Sequence, residues 1–253
     1  MNAADLDFFL GSYESAFRDA LKSLQKDRII SRIWDQDYTV WKSKPDGIVN
    51  RLGWLHAPCE TMERLFYIRS VVIPLIAEGY KDVVLLGMGG SSLAAEVFAK
   101  IFGSRDRHPQ LHILDTTDPL TIFRLAQQLD WARTIFLVSS KSGTTLETVS
   151  LFHYFYHLAL QKTGKQAGRN FIFITNPQSS LEELAGRLSL RHVFLSNPAV
   201  GGRYSALAFP GIVPAAFLGI DIEGILNSAR TVAENEKAEC FECKLNSSGA
   251  VLG

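Results

Sequence analysis

Cysteine is scarce in this sequence, and the few cysteines present do not form a recognisable framework. The chain of 253 residues contains three of them, Cys59, Cys240 and Cys243. Three cysteines are too few for the paired disulfides of a small secreted domain and fit the reduced thiols of the cytosol. Cys240 and Cys243 form a lone CxxC motif with no second pair, which favours an incidental pair over a metal or redox site.

An excess of charge of either sign is also absent. Lysines and arginines number 26, and aspartates and glutamates also number 26. Nucleic acids and anionic membranes attract strongly basic surfaces, so this balance argues against both as partners. We therefore expect the partner to be a small molecule or another protein.

Long hydrophobic runs are missing as well. No apolar run reaches the roughly 18 residues of a membrane span. The first residues, MNAADLDFFLGSYESAF, are acidic where a secretory signal would be basic. The sequence thus predicts a cytoplasmic protein with no membrane association, and its hydrophobic content of 47% is sufficient for a sizeable buried core.

The N-terminal part has the three-and-four spacing of apolar residues that is typical of amphipathic helices, from residue 3 to about residue 45. The apolar residues with this spacing are Leu6, Phe9, Leu10, Tyr13, Phe17, Leu21 and Leu24. A turn is predicted at residues 44–47, and a further helix from about Glu60 to Ala77, which Pro74 should bend or end. We expect this helical region, residues 1–78, to pack against the rest of the chain.

From Lys81 onwards, short apolar segments alternate with helical patterns. The predicted strands are DVVLLG, LHILD, TIFLVSS, NFIFIT and HVFL. This alternation is typical of the α/β class, with a doubly wound parallel sheet that helices cover on both faces. The sequence therefore predicts one α/β domain over residues 79–236, whose ligand would bind in the loops at the carboxyl ends of the strands.

The first of these loops is Gly87-Met88-Gly89-Gly90-Ser91-Ser92, which we call the glycine–serine loop. Its glycines allow a tight turn, and the N–H groups of the helix that follows can bind an anion. A dinucleotide fingerprint would have glycine in place of Ser92, but Asp115, at the end of the next strand, keeps that interpretation open. A strand-to-helix turn that binds nothing also remains an alternative.

The second loop, residues 139–145, has the sequence SSKSGTT and is called here the hydroxyl loop. It has five hydroxyl side chains, one lysine and one glycine within seven residues, just before a helix predicted from Leu146 to about Leu160. Many hydroxyl donors and one positive charge at a helix N-terminus suit a phosphate monoester. The lysine precedes the glycine, so the loop is not a Walker A motif. The alternative is that Thr144 or Thr145 simply caps the helix.

The third loop, residues 197–205, has the sequence NPAVGGRYS and is called here the arginine loop. The paired glycines beside Arg203 allow the backbone to approach a ligand closely, and the guanidinium group of Arg203 adds a permanent positive charge. This combination suits an anionic oxygen or a developing negative charge. A solvated surface arginine is the alternative.

His153 and His157 are four residues apart on the predicted helix and could share a metal, but the motif lacks the glutamate of HExxH, and the aromatic neighbours favour packing.

The three loop motifs, in their order along the chain, resemble those of the phosphoglucose isomerase family. GMGGSSLA, SSKSGTTLET and NPAVGGRYSAL are similar to that family's glycine–serine loop, its phosphate loop and its GGR(F/Y)S segment. The family's nucleotide-binding-like domains are called SIS (sugar isomerase) domains. The stretch WDQDYTVWKSKPDGIVNRLGWLHAP further resembles a bacterial subgroup related to the isomerase portion of transaldolase–isomerase fusions, and the resemblance extends over residues 30–230.

The resemblance implies interconversion of glucose 6-phosphate and fructose 6-phosphate through a cis-enediol, without a metal or other cofactor. The residues that it implies for binding sugar and phosphate are Gly89, Gly90, Ser91, Ser140, Lys141, Ser142, Thr144 and Thr145. Arg203 would lie near C1 and C2 of the substrate and stabilise the charge of the enediolate. Glu147 would position the residues that touch the substrate without touching it itself. The alternative is that its negative charge only favours the first turn of a helix.

The resemblance also implies a second SIS domain that carries the base glutamate and the ring-opening histidine. Residues 237–253 are similar to the start of the connection toward it, so we expect this chain to be a truncated half that lacks the base. A complete enzyme would be a homodimer acting on a phosphorylated hexose. Two alternatives stay open: a non-catalytic SIS module that binds a phosphosugar and regulates a partner, and a Rossmann-type reductase that binds a nucleotide.

Overall fold

The structure is a computed structural model that describes residues 10–238. Leu6, Phe9, Cys240 and Cys243 lie outside these residues, as does most of the predicted connection 237–253. The helices are α1 (Glu14–Lys26), α2 (Ile29–Trp34), α3 (Ala57–Glu63), α4 (Leu65–Ala77), α5 (Leu93–Phe102), α6 (Pro119–Gln128), α7 (Leu146–Thr163), α8 (Ser180–Arg187), α9 (Phe209–Phe217) and α10 (Ile222–Ala238). The strands are β1 (Asp82–Gly87), β2 (Gln110–Leu114), β3 (Thr134–Ser139), β4 (Phe171–Thr175) and β5 (His192–Leu195). Within residues 10–238, no helix has both the length and the apolar character that crossing a membrane requires.

The strands form one parallel sheet in the order β2-β1-β3-β4-β5. All five strands begin and end within one residue of the predicted segments, because buried strands of a parallel sheet are continuous apolar runs. The order reverses between β1 and β3, which makes their carboxyl ends the switch point of the sheet. The predicted doubly wound α/β fold is therefore confirmed.

The sheet lies between two layers of helices. Alternate residues of each strand point to opposite faces, as Val83 and Val84 of β1 illustrate, since they belong to different buried clusters. One cluster joins the sheet to α4, α5, α9 and α10, and the other joins it to α6, α7 and α8. The N-terminal helix α4 thus helps to cover the sheet. The division of the chain into units at residues 78 and 236 stays a prediction.

The N-terminal region is less helical than its apolar spacing predicts. The helix predicted up to about residue 45 is wrong beyond Trp34, where turns and short 3-10 segments follow. Asp37 accepts the backbone N–H of Thr39 at 2.9 Å, a local bond that competes with helix formation. The later helix is interrupted at Arg64 and not at Pro74, which lies on the exposed side of α4, where solvent can hydrate the carbonyl group that loses its partner.

The aromatic core beneath α7 should dominate the stability of the fold. Phe152 is 1% exposed, and its ring centroid lies 5.5 Å from that of Phe171 and 5.0 Å from that of Phe173. We expect Phe152→Ala to lower the free energy of unfolding by about 3–5 kcal/mol in urea titrations, because the cavity cannot fully collapse. Leu160→Ala, in the same helix but 41% exposed, should lower it by less than about 1 kcal/mol. Equal losses would contradict this packing.

Candidate functional site

The glycine–serine loop and the hydroxyl loop lie side by side at the carboxyl edge of the sheet. Their strands β1 and β3 are neighbours, and Gly87 pairs with Ser139 where these strands end. This is the switch point at which doubly wound sheets bind their ligands. The arginine loop follows β5 at the edge of the sheet and crosses back to reach the other two loops.

The arginine loop packs directly on the backbone of the glycine–serine loop. A Cβ atom at Gly90 would lie 2.2 Å from the carbonyl oxygen of Gly202, so only glycine allows this approach. The buried hydroxyl of Ser205 lies 2.9 Å from the carbonyl oxygen of Gly90 and 2.7 Å from that of Gly202. One side chain therefore ties the two loops together.

The hydroxyl loop folds around its own side chains. Gly143 adopts a φ of 73°, and its N–H donates to Oγ of Ser140 at 3.2 Å. The hydroxyl oxygens of Ser140 and Thr145 lie 3.1 Å apart, and those of Ser142 and Thr144 lie 3.0 Å apart. Ser140 is buried, whereas Ser142 and Thr144 face solvent. The loop therefore offers several closely spaced donors to a ligand at its outer side.

The end of β4 and the start of α8 hold the hydroxyl loop in place. Thr175 donates its hydroxyl to the carbonyl oxygen of Ser140, and Ser180 donates to that of Gly143, at 2.8 Å and 2.7 Å. A Cβ atom at Gly143 would lie 2.8 Å from the backbone nitrogen of Leu181. The loop is therefore a fixed platform and not a mobile surface turn.

Two helices begin at these loops with open N-termini. Ser92 and Thr145 hold the N-cap positions of α5 and α7, but in the described structure neither side chain caps its helix. By contrast, Asp118 caps α6 and Ser179 caps α8. The first N–H groups of α5 and α7 are therefore available to an anion. The alternative that Thr145 merely caps a helix is not supported.

A small crevice of about 20 Å³, enough for one water molecule, lies between the hydroxyl loop and the arginine loop and has both polar and apolar walls. The polar residues that line it include Ser91, Lys141, Asn176, Ser196 and Asn197. Oδ1 of Asn176 and Oγ of Ser196 are among the buried atoms that have no hydrogen-bond partner within residues 10–238. An unpaired buried polar atom costs about 1–3 kcal/mol, so a water molecule or ligand group that reached either atom would gain a hydrogen bond. Sequence reasoning missed these two residues, because a single Asn or Ser after a strand carries no distinctive signal.

Lys141 is the titratable side chain of this crevice. Its partial burial lowers the pKa of its ammonium group below the usual 10.5, and the positive charge of Arg51 lowers this pKa further. Within residues 10–238, no carboxylate forms an ion pair with Lys141 or contributes to its pKa shift. An ammonium group that is partly desolvated and not neutralised is suited to an anionic ligand.

A segment of the N-terminal region, residues 49–56, pairs with the arginine loop, and we call it the strap. Leu52 forms an antiparallel bridge with Val200, and the N–H of Gly53 donates to the carbonyl oxygen of Ala199 at 3.0 Å. A Cβ atom at Gly53 would lie 2.9 Å from Ala199, so the two backbones are in close contact. The helical pattern of the N-terminal region gave no signal for this pairing.

Arg203 and Glu147 are both exposed residues next to the loops that hold the predicted binding residues. Arg203 is exposed in a 3-10 turn that begins beside the crevice. Glu147 is exposed in the first turn of α7, where a negative charge favours the helix N-terminus. The roles of Arg203 and Glu147 in catalysis stay predictions.

The pair of histidines on α7 is exposed to solvent. His153 and His157 are exposed, whereas Phe152 and Phe155 of the same helix are buried against the sheet. The part of the chain that the structure describes has no group of three or more side chains able to hold a metal ion. These histidines therefore lie on the solvent side of a core helix.

Comparisons with known proteins agree with the resemblance of the loops. The profile of the family described as phosphoglucose isomerase matches residues 75–250. A glucose-6-phosphate isomerase of Carboxydothermus hydrogenoformans is 32% identical over 202 residues, which cover 74% of this chain. The crystal structure of a hypothetical protein from Thermus thermophilus superposes with a TM-score of 0.77 and 28% identity, covering 95% of this chain and 53% of that one. A glucose-6-phosphate isomerase of Chlamydia trachomatis shares the fold, with a TM-score of 0.57, 21% identity, and coverage of 84% of this chain and 38% of that one.

The chain is shorter than these curated relatives. It spans 42% of the Carboxydothermus protein and 45% of a glucose-6-phosphate isomerase from Thermus thermophilus. The chain therefore spans less than half the length of these relatives.

The contact between Gly90 and Gly202 gives a sharp test of the site. We expect Gly90→Ala to separate the two loops and to lower the free energy of unfolding by about 1–3 kcal/mol, because its new methyl group would meet the backbone of Gly202. Gly202→Ala is the matched control, since a Cβ atom there meets nothing within 4 Å and the change should stay within about 0.5 kcal/mol. Urea titration measures both, and equal effects would refute the close approach.

Proposed function

The chain belongs to the phosphoglucose isomerase family, and from this premise we propose that it is the phosphosugar-binding part of an isomerase for glucose 6-phosphate and fructose 6-phosphate. The observation that carries the proposal is the composition of the hydroxyl loop. Paired hydroxyls, an uncapped helix N-terminus and a lysine without a counter-ion meet there. Each of these features attracts an anion, and together they suit a phosphate monoester.

The phosphate group would bind at the outer side of the hydroxyl loop. A phosphate monoester carries a charge of about −1.5 to −2 at neutral pH and has three strong acceptor oxygens. Ser142 and Thr144 can donate to it from the exposed side of the loop, and the first N–H groups of α7 point toward the same place. Lys141 would supply a positive charge from the crevice.

The sugar carbons would extend from the phosphate toward the arginine loop. Ser91 and Gly202 line the same crevice as Lys141, which supports a path between the two loops. At its end, Arg203 would stabilise the negative charge that develops on oxygen when a proton leaves C2. Serine in the glycine–serine loop suits the hydroxyl groups of a sugar, since it both donates and accepts hydrogen bonds.

Proton transfer between C2 and C1 also needs a base and a group that opens the sugar ring. The family resemblance assigns both to a second SIS domain. General base catalysis is worth about 10²- to 10⁴-fold, so we expect this chain alone to bind phosphosugar and to isomerise it at least about a hundredfold more slowly than an enzyme that has the base. Turnover at the full rate by this chain would contradict this division of roles.

Binding is tested by the melting temperature of this chain with millimolar fructose 6-phosphate. A ligand that binds only the native state raises that temperature. We expect a rise with fructose 6-phosphate and none with fructose or NAD, because the phosphate and the sugar are both recognised. Lys141→Ala should abolish the rise, whereas Lys162→Ala, which removes an exposed lysine at the end of α7, should leave it unchanged.

The controls separate the alternatives. A rise with NAD and none with fructose 6-phosphate would refute the isomerase proposal and favour a nucleotide site. The same rise with inorganic phosphate as with fructose 6-phosphate would show that the loop holds an anion without recognising the sugar.

The affinity for fructose 6-phosphate should fall at alkaline pH, because binding depends on the charged form of Lys141. Its pKa is lowered, and a bound phosphate favours its charged form, so the affinity is full below this pKa and falls as pH rises through it. The loss should therefore begin below 10.5, the usual pKa of lysine. Calorimetric titration with fructose 6-phosphate from neutral to alkaline pH measures it. Lys141→Arg should bind without this loss of affinity at alkaline pH, because arginine keeps its charge. The same loss in Lys141→Arg would show that another group causes it.

A further inference from the structure

We propose that Arg51, on the strap, is a second cation of the phosphate site and acts together with Lys141. This inference rests on the proposed function, since it concerns the same ligand. Arg51 lies in the helical N-terminal region and outside the three loops that resemble the isomerase motifs. Its position follows from the fold alone.

The pairing of the strap with the arginine loop places Arg51 next to a residue that bridges the wall of the crevice. Arg51 directly precedes Leu52, which bridges Val200, and Val200 lines the crevice together with Lys141. The close backbone contact at Gly53 fixes this register. The ring of Trp54 also stacks on that of Tyr204, with centroids 5.5 Å apart, so the strap is held at three consecutive residues from the bridge onwards.

The charges around the crevice are of one sign. Lys141 is the titratable residue among those that line it, and Arg51 is the charged group that acts on Lys141. Arg203 stands on the adjoining loop, and the carboxylate of Glu60, which is not among the residues that line the crevice, accepts a hydrogen bond from the amide of Asn197 at 2.8 Å. Within residues 10–238, neither Arg51 nor Lys141 has an ion-pair partner.

Two neighbouring cations without a counter-ion repel each other, which disfavours the empty site. A dianionic phosphate between them would reverse the sign of this interaction, since each cation then attracts the ligand. A guanidinium group can also donate two parallel hydrogen bonds to a phosphate, which an ammonium group cannot. Arg51 would thus supply directed hydrogen bonds where Lys141 supplies a point charge.

The test is the affinity of this chain for fructose 6-phosphate, measured by calorimetric titration of four proteins. They are the unchanged chain, Arg51→Gln, Arg51→Lys and, as a matched control on the exposed face of α1, Arg18→Gln. We expect Arg51→Gln to weaken binding roughly tenfold, the scale of one hydrogen bond to a charged group, Arg51→Lys to recover part of the loss, and Arg18→Gln to change nothing. Because Arg51 is exposed and unpaired in the described structure, the melting temperature of the free Arg51→Gln protein should not fall.

A second readout separates a direct role from a structural one. Removing the charge of Arg51 should raise the pKa of Lys141, so the loss of affinity at alkaline pH should move to higher pH in Arg51→Gln. Unchanged affinity in Arg51→Gln, while the unchanged chain binds, would overturn the role of Arg51 and leave the proposed function intact. Absence of binding in the unchanged chain would overturn both.

Discussion

No side chain fits between the backbones of Gly90 and Gly202, because a Cβ atom at Gly90 would lie 2.2 Å from the carbonyl oxygen of Gly202. This contact joins a loop at the centre of the sheet to one that begins at its edge, and the other features of the site depend on it. It holds the arginine loop against the glycine–serine loop, and the strap then pairs with the arginine loop. The crevice with Lys141 exists only because these three layers of chain are held in contact.

The site contains polar and charged groups that have no hydrogen-bond or ion-pair partner in the described structure. Within residues 10–238, Oδ1 of Asn176 and Oγ of Ser196 are buried without partners, α5 and α7 lack side-chain caps, and Lys141 stands near Arg51 without a carboxylate. The helices α6 and α8, whose N-termini follow β2 and β4, are capped by side chains. Side-chain caps are also absent from α1, α2, α3, α4 and α9, so the groups that set the site apart are the unpaired atoms of Asn176 and Ser196 and the cation of Lys141, at the carboxyl edge of the sheet.

How much of this could be read from the sequence depends on the range of the interactions involved. The strands were predicted within one residue, because a strand buried on both faces is a continuous apolar run and needs no distant information. The residues of the hydroxyl loop were also predicted, since their chemistry is concentrated in one short segment. The bridge between Leu52 and Val200 could not be predicted, because it joins segments far apart in the chain through backbone atoms that carry no side-chain signal. The end of α2 at Trp34 was missed for a different reason: apolar spacing reports a helical face but not the local bonds of Asp37 that favour a turn.

In the proposed isomerase, the fixed contact between the arginine loop and the glycine–serine loop would also serve catalysis. The phosphate of the substrate is attached to C6, whereas the chemistry takes place at C1 and C2, so the hydroxyl loop would bind a part of the molecule that does not react. Binding energy from a remote group can be used to orient the reacting carbons, but only if the distance between the two subsites is fixed. A misplacement of about 1 Å can cost roughly a hundredfold in rate. A contact between two backbones has no rotamers and leaves less freedom than a contact between side chains. The glycines at Gly90 and Gly202 would therefore serve catalysis by fixing the position of Arg203 relative to the phosphate.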